Sequence, residues 1–144
     1  MNTLGPSPLP FEVSATADPG YHNSLPLLHE IAHALRLLRL KGTTTTLDLS
    51  AIPFGPGDER LLLECLGRGE VSAKLEALGD SHIWESAYPG VWVIEHRNSC
   101  GERIAFQVEI TRLPSILETR LEDIEEGLLA LQRALANLQT DESV

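Results

Sequence analysis

Apolar positions change period twice along the 144-residue chain. Leu28, Ile31, Leu35 and Leu38 recur at helical spacing. Ser24 can cap that helix, Pro26 fits its first turn and Gly42 stops it. The threonine-rich stretch TTTTLDLS (43–50) reads as a short strand. Asp58 can then cap a short helix through LLLECL that ends at Gly67. From Val71 to Ile110 much of the pattern alternates with period two. Turn signals recur at Gly79-Asp80, Pro89-Gly90 and Asn98–Gly101, as in a meander of hairpins.

Loop lengths set an expected register. A four-residue loop over 78–81 pairs Ala77 with His82, and a two-residue Pro89-Gly90 loop pairs Tyr88 with Val91. A four-residue loop over 98–101 pairs Val93 with Phe106. One sheet face then carries Val71, Ala73, Leu75, Trp84, Tyr88, Val91, Val93, Ile104, Phe106 and Val108, with Ser86 and Glu95 as misfits. The other carries Ile83, Glu85, Ala87, Trp92, Ile94, His96, Ala105, Gln107 and Glu109. An error of one residue in a loop inverts every later strand. This second face is either covered by a terminal segment or open as a Trp92-centred patch ringed by Glu85, His96 and Glu109.

After Pro114, Ser115 and Glu118 match a capping box. Leu117, Leu121, Ile124, Leu128, Leu131, Leu135 and Leu138 come next at spacings of four and three, which predicts a long helix. Its stripe is expected to pack on the sheet of its own domain, with a homodimer seam as the alternative. The expected fold is α+β: an antiparallel meander of about four strands, with a possible fifth, packed with an N-terminal helix, a short helix and the long C-terminal helix. Residues 1–20, with Pro6, Pro8, Pro10 and Pro19, are expected to form an extended arm, 21–140 a single domain and 141–144 a tail.

Composition narrows the partners. The apolar fraction of 42% and charged fraction of 22% are those of a globular chain. Eleven basic against 21 acidic residues give a net charge of −10, the wrong sign for phosphate backbones or anionic lipid. Neither a signal peptide nor an apolar run of membrane-spanning length is evident, so the expected compartment is the cytoplasm. Two cysteines, Cys65 and Cys100, suit a reducing compartment, and no motif calls for a cofactor.

The most tempting motif is His29-Glu30-Ile31-Ala32-His33, an H-E-x-x-H pattern on a predicted helix. His29 and His33 share a helical face and can hold zinc, with Glu30 as the base of a small hydrolase. A catalytic zinc needs a third protein ligand, and the metzincin continuation has Arg36 and Arg39 where glycine and histidine belong. The plainer reading makes the histidines flanks of an amphipathic helix. Gly67-Arg68-Gly69 lacks the Lys-Ser/Thr of a phosphate loop, and Glu70 would repel a phosphate. A transient iron–sulfur or metal handler built on Cys65 and Cys100 is a third, weaker possibility.

Several segments together resemble the HupH/HyaF family of hydrogenase expression and formation proteins. They are HEIAHALRLL (29–38), LDLSAIP (47–53), LGRGEVSA (66–73), ESAYPGVWVIEH (85–96) and EITRLP (109–114). The resemblance spans roughly 28–138 and implies a dedicated assembly chaperone in nickel–iron hydrogenase maturation. Its expected client is a hydrogenase precursor, the iron–sulfur small subunit before export, with other maturation proteins as further partners. It carries no catalytic residues over. The motif positions fall on Gly67, Gly69, Glu70, Val71, Glu85, Gly90, Val91 and Trp92. With the exposed-face register, they nominate Gly69, Glu70, Val71, Glu85, Gly90, Trp92, Ile94 and His96 as the partner-binding set.

Overall fold

The computed structural model describes residues 23–55 and 57–142. The proline-rich arm over 1–20 and the last two residues of the expected tail lie outside them. Helix α1 spans Ser24–Lys41 and is closed by Gly42, whose N–H bonds to the Leu38 carbonyl at 2.9 Å. Strand β1 (Thr45–Asp48) leads through a 3-10 turn at Leu49–Ala51 to α2 (Asp58–Leu66). Strands β2 (Ser72–Ala77), β3 (Gly79–Glu85), β4 (Val91–Arg97) and β5 (Arg103–Ile110) form the meander. A second 3-10 turn, Ser115–Leu117, precedes α3 (Leu121–Glu142).

The sheet has five antiparallel strands in the order β1-β5-β4-β3-β2, so the threonine-rich strand joins as an edge beside β5. The core lies between one sheet face and the two N-terminal helices. Leu27, Ile31 and Ala34 of α1 and Leu62 and Leu66 of α2 meet Trp84, Val91, Val93, Phe106, Val108 and Ile110. All of these are buried, which places the α1 stripe one residue toward the N-terminus of the expected one. Leu28, Leu35 and Leu38 line its margin.

The expected register needs correction. Trp84 pairs with Val93, and Val93 with Val108, two residues from the expected partners. An even shift preserves the faces, so the division of β3, β4 and β5 into two sides stands as the alternation implied. Strand β2 is inverted: Ala77 pairs with Gly79 across Leu78 alone, and Ser72 pairs with Trp84. Gly79 permits this tight turn, with φ +147° and its Cα hard against the Arg97 backbone, where a Cβ would sit 2.1 Å from the carbonyl oxygen. Ala73 and Leu75 therefore belong to the second face, and Val71 lies 47% exposed before the strand.

Three caps also differ from expectation, Asp58 among them: Gly57 is the N-cap of α2, and Asp58 is its first residue, with no side-chain cap bond. The Ser24 hydroxyl donates to the Asp58 carboxylate at 3.0 Å and to its carbonyl at 2.8 Å, rather than capping α1. Asp58 in turn accepts from the Gly55 N–H at 2.7 Å, so its fully buried side chain ties the starts of α1 and α2 together. The Ser115/Glu118 capping box is replaced by the 3-10 turn, where Glu118 donates its N–H to Ser115 at 3.1 Å. The long helix starts at Leu121 instead, with Glu122 and Asp123 complementing its N-terminal dipole.

The described residues group into two compact units, one ending at Arg112 and one beginning at Leu113. In the second, no residue of α3 is buried, and Leu121, Ile124, Leu128, Leu131, Leu135 and Leu138 are each at least half exposed.

Candidate functional site

Gly67 ends α2, and residues 67–71 run on beside the end of β3. The Ala87 N–H bonds to the Leu66 carbonyl at 2.8 Å, the Gly69 N–H to Glu85 at 2.7 Å and the Glu85 N–H to Val71 at 2.9 Å. The two backbones approach so closely that a Cβ on Gly69 would lie 2.6 Å from the Ser86 carbonyl oxygen. The Gly-x-Gly spacing thus serves backbone contact. Glu70 is exposed at this strap, and among the described residues its carboxylate has no hydrogen bond or ion pair. Among the described residues it accepts none of the neighbouring turn amides. Arg68 turns back over the Trp84 ring at 4.2 Å, a cation–π contact at the rim of the core.

The β3–β4 connection has five residues, 86–90, where Pro89-Gly90 alone was expected. The Ser86 hydroxyl accepts the Tyr88 N–H at 3.1 Å, and the Ser86 N–H reaches the Val91 carbonyl at 2.8 Å. That local network stabilises the wider loop. Gly90 sits against α1, where a Cβ would be 3.3 Å from a Leu35 methyl, and its carbonyl accepts the Thr111 N–H at 2.9 Å.

Glu85 and Trp92 lie directly opposite in the ladder, closer than the diagonal the shorter loop implied. The half-buried Glu85 carboxylate accepts the Gly90 N–H at 3.3 Å. The Trp92 indole N–H goes to the Thr111 carbonyl at 3.1 Å, so Glu85 is not its acceptor. Trp92 is 4% and Ile94 1% exposed, with Ile83 at 0% between them. These two nominated residues are therefore buried, and the open Trp92-centred patch is absent from the second face. Its rim remains accessible: His96, half-buried, shares a 2.7 Å hydrogen bond between Nδ1 and the Ser81 hydroxyl. Gln107 donates to Glu109 at 2.9 Å.

At the loop end of the sheet, Glu85 and Gly90 share a shallow depression with Arg39 and Arg112. It is the end at which the 29–38, 66–73, 85–96 and 109–114 segments converge. The two arginines escaped sequence reasoning, although Leu35, Leu38, Arg39 and Gly42 lie at i, i+3, i+4 and i+7 on one helical face. The mixed charge suits recognition by ion pairing and hydrogen bonding.

The alternative chemistries find less here. His29, Glu30 and His33 are all exposed on α1. Among the described residues no three His, Cys, Asp or Glu side chains are grouped to hold a metal. His29 edges an apolar cleft of about 290 Å³ with Leu28, Leu66, Tyr88 and Cys65. Burial, reinforced by the Glu64 carboxylate, pushes the Cys65 thiol up to about 11, so it stays protonated at neutral pH. Cys100 is exposed on the β4–β5 turn.

Comparison with known proteins agrees with these segments. Residues 21–138 match the conserved C-terminal region of the HupH hydrogenase expression protein. The hydrogenase expression/formation protein HoxQ of Azotobacter vinelandii is 33% identical over 110 residues, 75% of this chain and 39% of HoxQ. HupQ of Azotobacter chroococcum mcd 1 is 30% identical over 117 residues, covering 80% of this chain and 41% of that protein. The chain thus spans about two fifths of the length of these curated relatives. The solved hydrogenase expression protein HupH of Thiobacillus denitrificans ATCC 25259 superposes with a TM-score of 0.77 at 41% identity, covering 80% of this chain and 96% of that one. No helix among the described residues is long and apolar enough to cross a membrane. By sequence motif, by fold and by match over most of its length, this chain belongs to the HupH hydrogenase expression protein family and corresponds to its C-terminal conserved region.

Proposed function

We propose that this chain is an assembly chaperone of nickel–iron hydrogenase maturation, without catalytic activity of its own. It binds a hydrogenase precursor, the iron–sulfur small subunit before export, at the loop end of its sheet. The observation that carries this reading is the convergence of the family-like segments around Glu85. The Gly69 strap, the Ser86–Gly90 loop, the end of β5 and the C-terminal half of α1 are hydrogen-bonded or packed together there. Exposed Glu70, half-buried Glu85 and the arginines at positions 39 and 112 supply charge to a rigid backbone frame.

In this reading Gly69, Glu70, Val71, Glu85 and Gly90 contact the partner, while His96, near the far end of β4, falls outside that surface. Trp92 and Ile94 act from beneath, holding strands β3 and β4 in register. The test is affinity capture of the tagged full chain from hydrogenase-expressing cells, with the small-subunit precursor detected by immunoblot. Capture is expected from the parent and from Glu126→Ala on α3, with at least a tenfold loss in Glu70→Ala combined with Arg112→Ala. Undiminished capture by that double variant rejects the surface. Absence of any hydrogenase subunit from the parent's capture rejects the function.

A further inference from the structure

We infer that α3 is a self-association element that pairs with α3 of a second copy of this chain in antiparallel orientation. The face in question is the one its leucines leave open. Leu121, Ile124, Leu128, Leu131, Leu135 and Leu138 are between 50% and 80% exposed, and no α3 residue is buried. In proteins most of a helix's stability comes from packing its apolar face, and this one is bare. The positions follow a 3-4-3-4-3 spacing, the a/d seam of a coiled coil, over about 26 Å of helix.

Two features on this helix identify the occupant as a second copy. First, the spacing is palindromic about the midpoint between Leu129 and Ala130. Reversing the helix places Leu121 opposite Leu138, Ile124 opposite Leu135 and Leu128 opposite Leu131 of the other chain, with every layer filled. That is the self-complementarity a two-fold interface requires. Second, the charges lie where they do not oppose self-pairing. Positions flanking the seam are Gly127, Gln132, Ala134 and Gln139, uncharged, with Glu125 and Asp141 only at the ends. Glu122, Glu126 and Arg133 fall on the opposite face. A basic partner helix would call for acidic residues along the seam, and α3 has only Glu125 and Asp141 there, at its ends.

Orientation follows from the acidic first turn. Side by side in parallel, the clusters Glu122, Asp123, Glu125 and Glu126 of two copies would sit at the same level of the axis, with Glu125 beside the seam. The antiparallel register sets the two clusters about 16 Å apart along the axis, beyond the screening length of about 8 Å at physiological salt.

Sedimentation equilibrium of the full chain from 2 to 200 μM tests the association. A concentration-dependent dimer is expected for the parent and for Glu126→Ala. Leu128→Glu combined with Leu131→Glu should remain monomeric throughout, with near-ultraviolet circular dichroism of the sheet unit unchanged. Should that variant misfold, Leu135→Lys provides the same readout with one change. In a Cys100→Ser background, Leu121→Cys and Leu138→Cys chains should cross-link when mixed under mild oxidation and not when each is alone. A monomeric parent over the whole range overturns the inference. Cross-linking of Leu121→Cys with itself in place of Leu138→Cys overturns the orientation.

Discussion

Gly69 and Cys65 show how differently two small residues can be constrained. With 2.6 Å between its would-be Cβ and the Ser86 carbonyl oxygen, Gly69 has no room for even a methyl group. Backbone on both sides must shift, so Gly69→Ala should cost about 1–3 kcal/mol in urea unfolding. Capture of the partner should weaken with it, because Glu70 moves. A change below about 0.5 kcal/mol would show that the strap is looser than its geometry. Cys65 presents the opposite case, a side chain held still by burial. Its raised pKa, about 11, leaves roughly one thiol in a thousand ionised at pH 8, and access is poor as well. Iodoacetamide at pH 8 should label exposed Cys100 in the folded protein and Cys65 only after unfolding. Mass spectrometry of the peptides reads this directly, and equal labelling of both would contradict it. The constraint on Gly69 was not legible in the sequence at this detail. A Gly-x-Gly signals a turn, but only the tertiary fold says which carbonyl lies above it.

Among the elements, legibility depended on how local the determining interactions are. Helix α1 ends at Gly42 and α2 at Gly67 as their sequences suggest, because capping is decided within a few residues. The faces of β3, β4 and β5 were also recoverable, since alternation survives an even error in loop length. Strand β2 inverted because its register depends on the single-residue turn at Leu78, which fits only through the approach of Gly79 to Arg97. The Ser24–Asp58 tie escaped notice for the same reason, joining residues far apart in sequence. A second long-range tie makes a pH prediction. Glu59 at the start of α2 forms two hydrogen bonds with Arg103 of β5, at 2.5 and 3.0 Å. The Arg103 hydrogen bonds hold its carboxyl below the ordinary value of 4.5, and the guanidinium charge adds to them against a partial desolvation cost. A depressed folded-state pKa stabilises fully above that ordinary value, and the contribution is lost as pH falls through the folded one. The pair is about a third exposed, so the gain is at most about 1 kcal/mol. Thermal melts should therefore place Glu59→Gln below the parent at pH 7 and converge with it near pH 3. A constant gap across that range would assign the loss to packing.

At the scale of the whole molecule, fold class and family were readable, and the functional surface was only partly so. Five segments in the right order identified the family, and two of them hold glycines, Gly69 and Gly90, whose close neighbours leave little room for a side chain. The alternation named the second face correctly on three strands. It gave no sign that Ile83, Trp92 and Ile94 are buried there, because period two distinguishes the sides of a sheet without saying what lies against either. Only two tryptophans occur in the chain, and the β3–β4 hairpin carries both. Trp84 looks into the helical side, 8% exposed beneath the Arg68 guanidinium, while Trp92 looks to the other side at 4%. The hairpin is thus a built-in pair of optical reporters. With Trp84→Phe, the remaining emission follows the face beside Glu85 and Thr111; with Trp92→Phe, it follows the helical core and the guanidinium above it. Fluorescence of these two single-tryptophan chains should distinguish a client that settles at the Gly69 strap from one that disturbs the other side of the sheet.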